Sequence, residues 1–258
     1  MRLPPVAMRR PTWWTQVLLA VSFAWGYDEV RALHGDVRHA GLAHGFDMLH
    51  LDRAMHIDWA TPFNAWLVHH DAVADALAGY YFVMHLGMTS LTLVVLWAHG
   101  RRYRWHRDAL LLMSVIGLAV YWLYPVAPPR LLPGFHDTVR HVLPAAYNLE
   151  ASRANVYAAV PSLHLAWAVW VGVTLWSMSR RTWVRAVAVL HPALTTVTVL
   201  ATGNHYVADV ISGVALVVVA YPLLRLLAPM AERAFPSLVV VADERRSDLH
   251  DRRIPQQQ

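Results

Sequence analysis

Long apolar runs, separated by polar segments rich in arginine, set the pattern of this chain. The runs lie at about Trp13–Val30, Ala76–Ala98, Ala109–Tyr124, Val160–Met178, Val184–Ala201 and Tyr206–Leu227. A bilayer's hydrocarbon core is about 30 Å thick and takes about 20 apolar helical residues to cross. The pattern therefore predicts an all-α polytopic membrane protein with six transmembrane helices. The first run is the shortest, because its cleanly apolar part ends near Tyr27 and Asp28, Glu29 and Arg31 fall at the far interface. Pro192 predicts a kink in the fifth.

The segment from His34 to Asp75 reads differently. Leu42, Phe46, Leu49, Leu51, Met55 and Ile57 are interleaved with His44, Asp47, His50, Asp52, Arg53 and His56. That is an amphipathic pattern suited to lying along the interface between the first two spans. The prolines of Pro125-Val126-Ala127-Pro128-Pro129-Arg130 end the third run, and a polar loop of about thirty residues then reaches Asn155. From residue 229 the chain is charged and is expected to be mostly disordered. Residues 1–228 thus form one membrane domain, with a catalytic core at about 80–227, followed by a cytoplasmic tail at 229–258.

Composition agrees. Hydrophobic residues make up 57% of the 258, charged residues 15%, and the 12 Trp and 10 Tyr suit interfacial belts. Mean hydropathy is +0.33. The net charge of +5 comes entirely from arginine, since the chain has no lysine. Arginines cluster before the first run, in the loops at Arg101–Arg107 and Arg180–Arg185, and in the tail from Arg225, while the alternate loops hold few. The positive-inside rule then places both termini in the cytoplasm, with the 126–155 loop outside. No small-residue cleavage site follows the first run, which is read as an uncleaved span. There is no cysteine, so disulfides and Cys-based metal sites are excluded. No nucleic-acid module is present.

Against this apolar background some polar residues stand out. An ionisable side chain within a span is costly and is read as functional by default. Arg130, His164, His205 and Asp209 all fall at the outer ends of predicted spans, with Tyr80, Tyr81 and His85 in the outer half of the second. One site facing the outer leaflet would collect them. His205 and Asp209 are four residues apart, so on a helix the carboxylate can orient the imidazole. Asn204 suits an N-cap and Gly203 a helix end. Pro161 suits a first helical position, which would leave the amides of Ser162, Leu163 and His164 open at a helix N-terminus that favours anions. Arg130 could clamp the same phosphate. With no carboxylate cluster for magnesium, neither metal nor cofactor is expected. His191, beside Pro192, reads as structural, and the histidines of the 34–70 segment have no spacing that suits one metal site.

Pro161-Ser162-Leu163-His164 and His205-x-x-x-Asp209 resemble two motifs of the type-2 phosphatidic acid phosphatase superfamily. The contexts Ala127-Pro128-Pro129-Arg130, Tyr157–His164 and Thr202–Tyr206 resemble its branch of inositol phosphorylceramide synthases and their bacterial relatives. The resemblance covers about Tyr80 to Leu227. It implies a membrane-embedded lipid phosphatase or phosphotransferase that works through a phosphohistidine. By it, His205 is the nucleophile, Asp209 orients it, His164 protonates the leaving group, and Arg130, Ser162 and Asn204 hold phosphate. Tyr81, His85, Arg153 and Asn155 are candidates for supporting roles. The implied partners are a lipid phosphate or phosphodiester, membrane lipids and an acceptor that is water or a polyol such as inositol. The implied location is a bacterial plasma membrane, with the site extracytoplasmic. The chain departs from the wider superfamily at two cationic positions: Leu123 stands seven residues before Arg130, and Val199 follows Thr198.

A second function class is a membrane cytochrome holding haem between paired histidines drawn from His85, His164, His191 and His205. It leaves Arg130, Asp209 and the Pro-Ser lead-in without a role.

Overall fold

The computed structural model describes residues 11–32, 37–99, 102–142 and 156–234. Among them the regular structure is helical: α1 (Trp13–Ala32), α2 (Arg38–Ala54), α3 (Ala60–Leu67), α4 (Asp71–His99), α5 (Tyr103–Leu123), a 3₁₀ turn (Pro129–Leu131), α6 (Thr138–Val142), α7 (Leu163–Met178), α8 (Thr182–Ala201) and α9 (Val207–Ala234). The one β-type pairing among these residues is an isolated bridge between Val126 and Ala158.

Four helices are long and apolar enough to cross a membrane: α4, α5, α8 and α9, the last through Val207–Leu227. α7 is equally apolar but has 16 residues, and α1 is not among the four. Large apolar side chains stand outward along these helices, among them Val94, Trp122, Leu190 and Val218. In water such surface would drive aggregation, whereas lipid covers it without penalty.

α7 is the central helix, packed against α4, α5, α8 and α9. Its Trp170 is fully buried in a cluster with Met113, Leu163, Val171, Leu216 and Ala220. Lipid tails are as apolar as leucine, so close packing and interhelical hydrogen bonds hold such a bundle, the bonds averaging about 0.6 kcal/mol each. Several such bonds are present. Trp170 Nε1 donates to the His106 carbonyl at 2.8 Å. His106 Nδ1 meets the Tyr221 hydroxyl at 2.8 Å. Trp167 Nε1 donates to Ser114 Oγ at 3.0 Å. Tyr80 meets His191 Nδ1 at 2.7 Å, which accounts for His191 as a structural residue.

The elements follow the hydropathy pattern, but α4 begins at Asp71 rather than Ala76 and α9 continues past Leu227 to Ala234, into the segment expected to be tail. α5 starts at Tyr103 rather than Ala109, because its polar first turn is tied inward through His106 and through Arg107, which donates to Gln16. The amphipathic segment forms two helices. Between them Arg53 and Thr61 both bond the Asp58 carboxylate, at 3.1 and 2.7 Å. α2 buries one narrow face, Gly41, Gly45, Leu49 and Asp52. The polar loop after α5 holds the 3₁₀ turn and α6, and its remainder, 143–155, lies outside the described residues, as does the tail from 235.

Candidate active site

The turn from α8 into α9 is the platform of the site. α8 ends at Ala201, and Gly203 follows with φ +70°, a left-handed conformation that favours glycine. The amides of Asn204 and His205 both donate to the Val199 carbonyl, at 2.9 and 3.1 Å. Asn204 is not the cap expected from sequence, because α9 starts only at Val207. Its side chain turns the other way, donating to Thr202 Oγ1 at 2.7 Å and accepting from Arg130 Nη1. The cap arrives from a distance instead. Asp52 of α2 accepts the Val207 amide on Oδ2 at 2.7 Å and the Ala208 amide on Oδ1 at 2.9 Å. Burial raises the Asp52 carboxyl above its ordinary pKa, and the two amides act against that shift.

His205 projects from this platform. Its Nδ1 lies 3.0 Å from Asp209 Oδ2 and 3.1 Å from the Ala159 carbonyl oxygen. A carbonyl can only accept, and so can a carboxylate, so Nδ1 carries the proton. Neutral His205 therefore presents a bare lone pair on Nε2. That nitrogen faces His164 Nδ1 at 3.4 Å, the rings meeting edge to face with centroids 5.5 Å apart. With His205 neutral, Nε2 has no hydrogen to give and His164 is the donor in this pair. The Tyr81 ring stacks on His164 with centroids 4.6 Å apart. Asp209 is fully buried, and its Oδ1 has no hydrogen-bond partner. A half-satisfied buried carboxylate is unfavourable on its own account, which fits a residue kept for the ring it orients.

His164 sits at the start of α7, but the helix begins at Leu163, two residues later than the sequence suggests. Ser162 is the N-cap, its Oγ accepting the Leu165 amide at 3.3 Å, and Pro161 precedes it across a cis bond. The Ser162 amide, expected to be open to phosphate, donates to the Asp209 carbonyl at 3.1 Å. α9 passes this point so closely that a Cβ on Gly213 would lie 2.4 Å from the Ser162 carbonyl oxygen. Sixteen residues give α7 a length of about 24 Å, less than a bilayer's hydrocarbon core. Irregular backbone survives within such a core only when protein satisfies it. It does so here: the Pro161 carbonyl accepts from Tyr121, Ala159 N donates to Val126, and Val126 N donates to Tyr157.

Arg130 lies on the 3₁₀ turn. Its amide donates to the Gly203 carbonyl at 2.8 Å, its Nη1 to Asn204 Oδ1, and its Nε lies 3.6 Å from Asp137 Oδ2. The turn thus locks to the residue beside His205. At the two departures from the superfamily pattern, Leu123 is 80% exposed at the end of α5, and Thr198 and Val199 are buried.

The structure gathers Arg130, Ser162, His164, Asn204, His205 and Asp209, with Tyr81 behind His164. Tyr80, adjacent in sequence, faces His191 instead. His85 lies on α4, but its side chain is outside the described residues, as are Arg153 and Asn155. Sequence reading passed over Asp52, Asn64 and Asp137. The signal for Asp52 was its place at the end of the 41-45-49-52 stripe; Asn64 and Asp137 had none. Among the described residues no group of three or more His, Asp or Glu side chains is placed to hold a metal. The haem alternative gains no support from the described residues, where His205 is tied to Asp209 and His191 to Tyr80.

Together these elements define a helical domain with membrane-spanning character in which Asp209, His205 and His164 follow one another in contact, with Arg130 anchored beside them. The chain belongs to the PAP2 superfamily, whose family profile matches residues 47–223. It is similar to the phosphoinositol dihydroceramide synthase of Bacteroides thetaiotaomicron, with 31% identity over 172 residues that cover 60% of this chain and 56% of that protein. The chain thus spans little more than half the length of this curated relative. No solved structure matches it.

Proposed function

We propose that the protein is an integral membrane enzyme that transfers or hydrolyses a phosphoryl group of a lipid phosphate or phosphodiester through a phosphohistidine on His205. The observation that carries this reading is the lone pair on His205 Nε2, held by Asp209 and Ala159 and aimed at His164. The substrate phosphorus enters between the two rings, so their contact opens on binding. Nε2 attacks phosphorus and the bond to the leaving oxygen breaks. That oxygen takes the His164 proton. Water or an alcohol such as inositol then attacks the phosphohistidine, gives its proton to His164, and the P–N bond breaks. Arg130 steadies phosphate oxygens, which a loose phosphoryl-transfer transition state chiefly requires. The name of the Bacteroides relative favours a lipid donor or acceptor with a polyol phosphate.

The test is phosphate release from a panel of lipid phosphates in detergent, with and without candidate alcohols, in EDTA. The donor set motivates the EDTA arm, since phosphate here meets arginine and imidazole rather than a carboxylate cluster. Full activity in EDTA is expected. Activity lost to EDTA and restored by magnesium would count against the mechanism.

In this reading the protein makes six crossings of a bacterial plasma membrane, α1 and α7 completing the four longer helices. Both termini are cytoplasmic, α2 and α3 lie along the outer interface, and the site opens to the outer leaflet. The arginine distribution supports it. A phosphatase or fluorescent reporter fused after Gln258 is expected to report a cytoplasmic C-terminus; an extracytoplasmic signal would turn the site to the other leaflet.

A further inference from the structure

The turn that carries His205 is gripped at both ends by helices that hold none of the motif residues. At one end Asn64 of α3 donates from Nδ2 to the Ala201 carbonyl, the last residue of α8, at 2.9 Å. The same side chain bonds the backbone of His136 in both directions, at 3.0 and 2.8 Å. At the other end Asp52 of α2 takes the first two amides of α9. Both residues are fully buried, and both reach across more than 130 positions of sequence. α2 is itself fixed to the site, since the Gly41 carbonyl accepts the Ala127 amide at 2.8 Å and Tyr206, between His205 and Val207, donates to the Ala127 carbonyl at 2.8 Å.

Two features say that the Asp52 contact does more than close a helix end. A local cap is available in Asn204, yet Asn204 is committed to Arg130 and Thr202. The capping duty has moved to another helix, which leaves the residue next to the reactive imidazole for the arginine. Moreover, the two amides that Asp52 holds lie between His205 and Asp209. The register from His205 to Asp209 decides whether Asp209 Oδ2 reaches His205 Nδ1.

We propose that Asp52 is a positioning residue: by holding the Val207 and Ala208 amides it keeps His205 Nε2 aimed at the substrate phosphorus and Asp209 in reach of Nδ1, with Asn64 bracing the opposite end of the turn. The activity readout rests on the phosphoryl-transfer reading above, so a second readout is independent of it. Asp52→Asn keeps the shape and one acceptor oxygen but sets an NH2 group against an amide. A misplacement of about 1 Å lowers turnover about 100-fold. Asp52→Asn is therefore expected to lower kcat about 10–100-fold with KM little changed. Hydrogen exchange of a peptide spanning 202–210 is expected to speed up about tenfold, as a charge-assisted bond is lost, while α7 exchanges as before.

Val207→Pro supplies a second variant that leaves Asp52 in place. Proline is accepted at a first helical position and removes the amide that Asp52 holds. It is expected to reproduce the kcat loss, and the double variant to be no worse than the poorer single one. A folded Asp52→Asn protein with faster exchange but unchanged kcat overturns the proposal. So does a kcat loss in which α7 loosens equally, because that marks general destabilisation. A wild type that labels with no lipid phosphate sinks the transfer reading instead, and exchange over 202–210 then decides for or against the clamp by itself.

Discussion

His205→Ala is expected to abolish turnover and covalent labelling by a lipid phosphate together. Removing an attacking atom cannot be compensated by the groups that orient it; loss of a nucleophile in a catalytic triad lowers kcat on the order of 10⁶-fold. Alanine also strands Asp209, fully buried, without the imidazole that donates to it, and an unpaired buried charge costs about 3–5 kcal/mol. His205→Asn answers that objection, because its amide still offers Asp209 a donor while supplying no nucleophile. Both variants are expected to be inactive, and only the alanine variant is expected to lose much thermal stability. Asp209→Asn falls between wild type and these. The ring stays but its orientation and charge support weaken, which in a triad costs about 10⁴-fold. The measurement is labelling with a radioactive lipid phosphate, followed by acid and base stability of the adduct. A phosphoenzyme that survives His205→Asn would remove His205 as the attacking residue.

The juxtaposition at the centre of this candidate site was readable from the chain because its motifs are local. Pro161–His164 and His205–Asp209 are short motifs, and the structure keeps Asp209 in reach of His205 although His205 lies in the turn before α9 rather than on the helix. Apolar runs were readable because lipid imposes one length on them, and α4, α5, α8 and α9 match their runs within a few residues at most ends. What stayed hidden depends on contacts across the chain. Asn204 has the right side chain for a cap, and nothing nearby reveals that Arg130 claims it. Asp52 sits among the charged residues of an amphipathic segment, and its burial becomes visible only when α2 lays the Gly41, Gly45 and Leu49 face on the loop before the 3₁₀ turn. The Ser162 amide looks free until α9, passing close at Gly213, offers the Asp209 carbonyl. Tyr80 and Tyr81 are alike in sequence, and only helix packing sends one to His191 and the other to His164.

His164→Ala is expected to show a loss that depends on the leaving group. His164 Nδ1 faces His205 Nε2, the attacking atom in the proposed mechanism, so it can meet a departing oxygen once phosphorus lies between the rings. General acid help of this kind contributes about 10²–10⁴-fold. A lipid alkoxide is a poor leaving group and needs that proton, so the loss on a natural lipid phosphate is expected to span this range. Nitrophenol departs readily as its anion, and with a nitrophenyl phosphate the variant is expected to recover most of its rate. His205→Asn is not expected to recover on either substrate, because it lacks the attacking nitrogen. Tyr81→Phe serves as a control for ring position: it preserves the stack on His164, whose centroids lie 4.6 Å apart, and any loss is expected to be the same on both substrates. The decisive quantity is the ratio of kcat/KM values for the two substrates in wild type and variant. An equal loss on both would mean that His164 holds phosphate or shapes the pocket rather than delivering a proton, and the acid role would pass to another group.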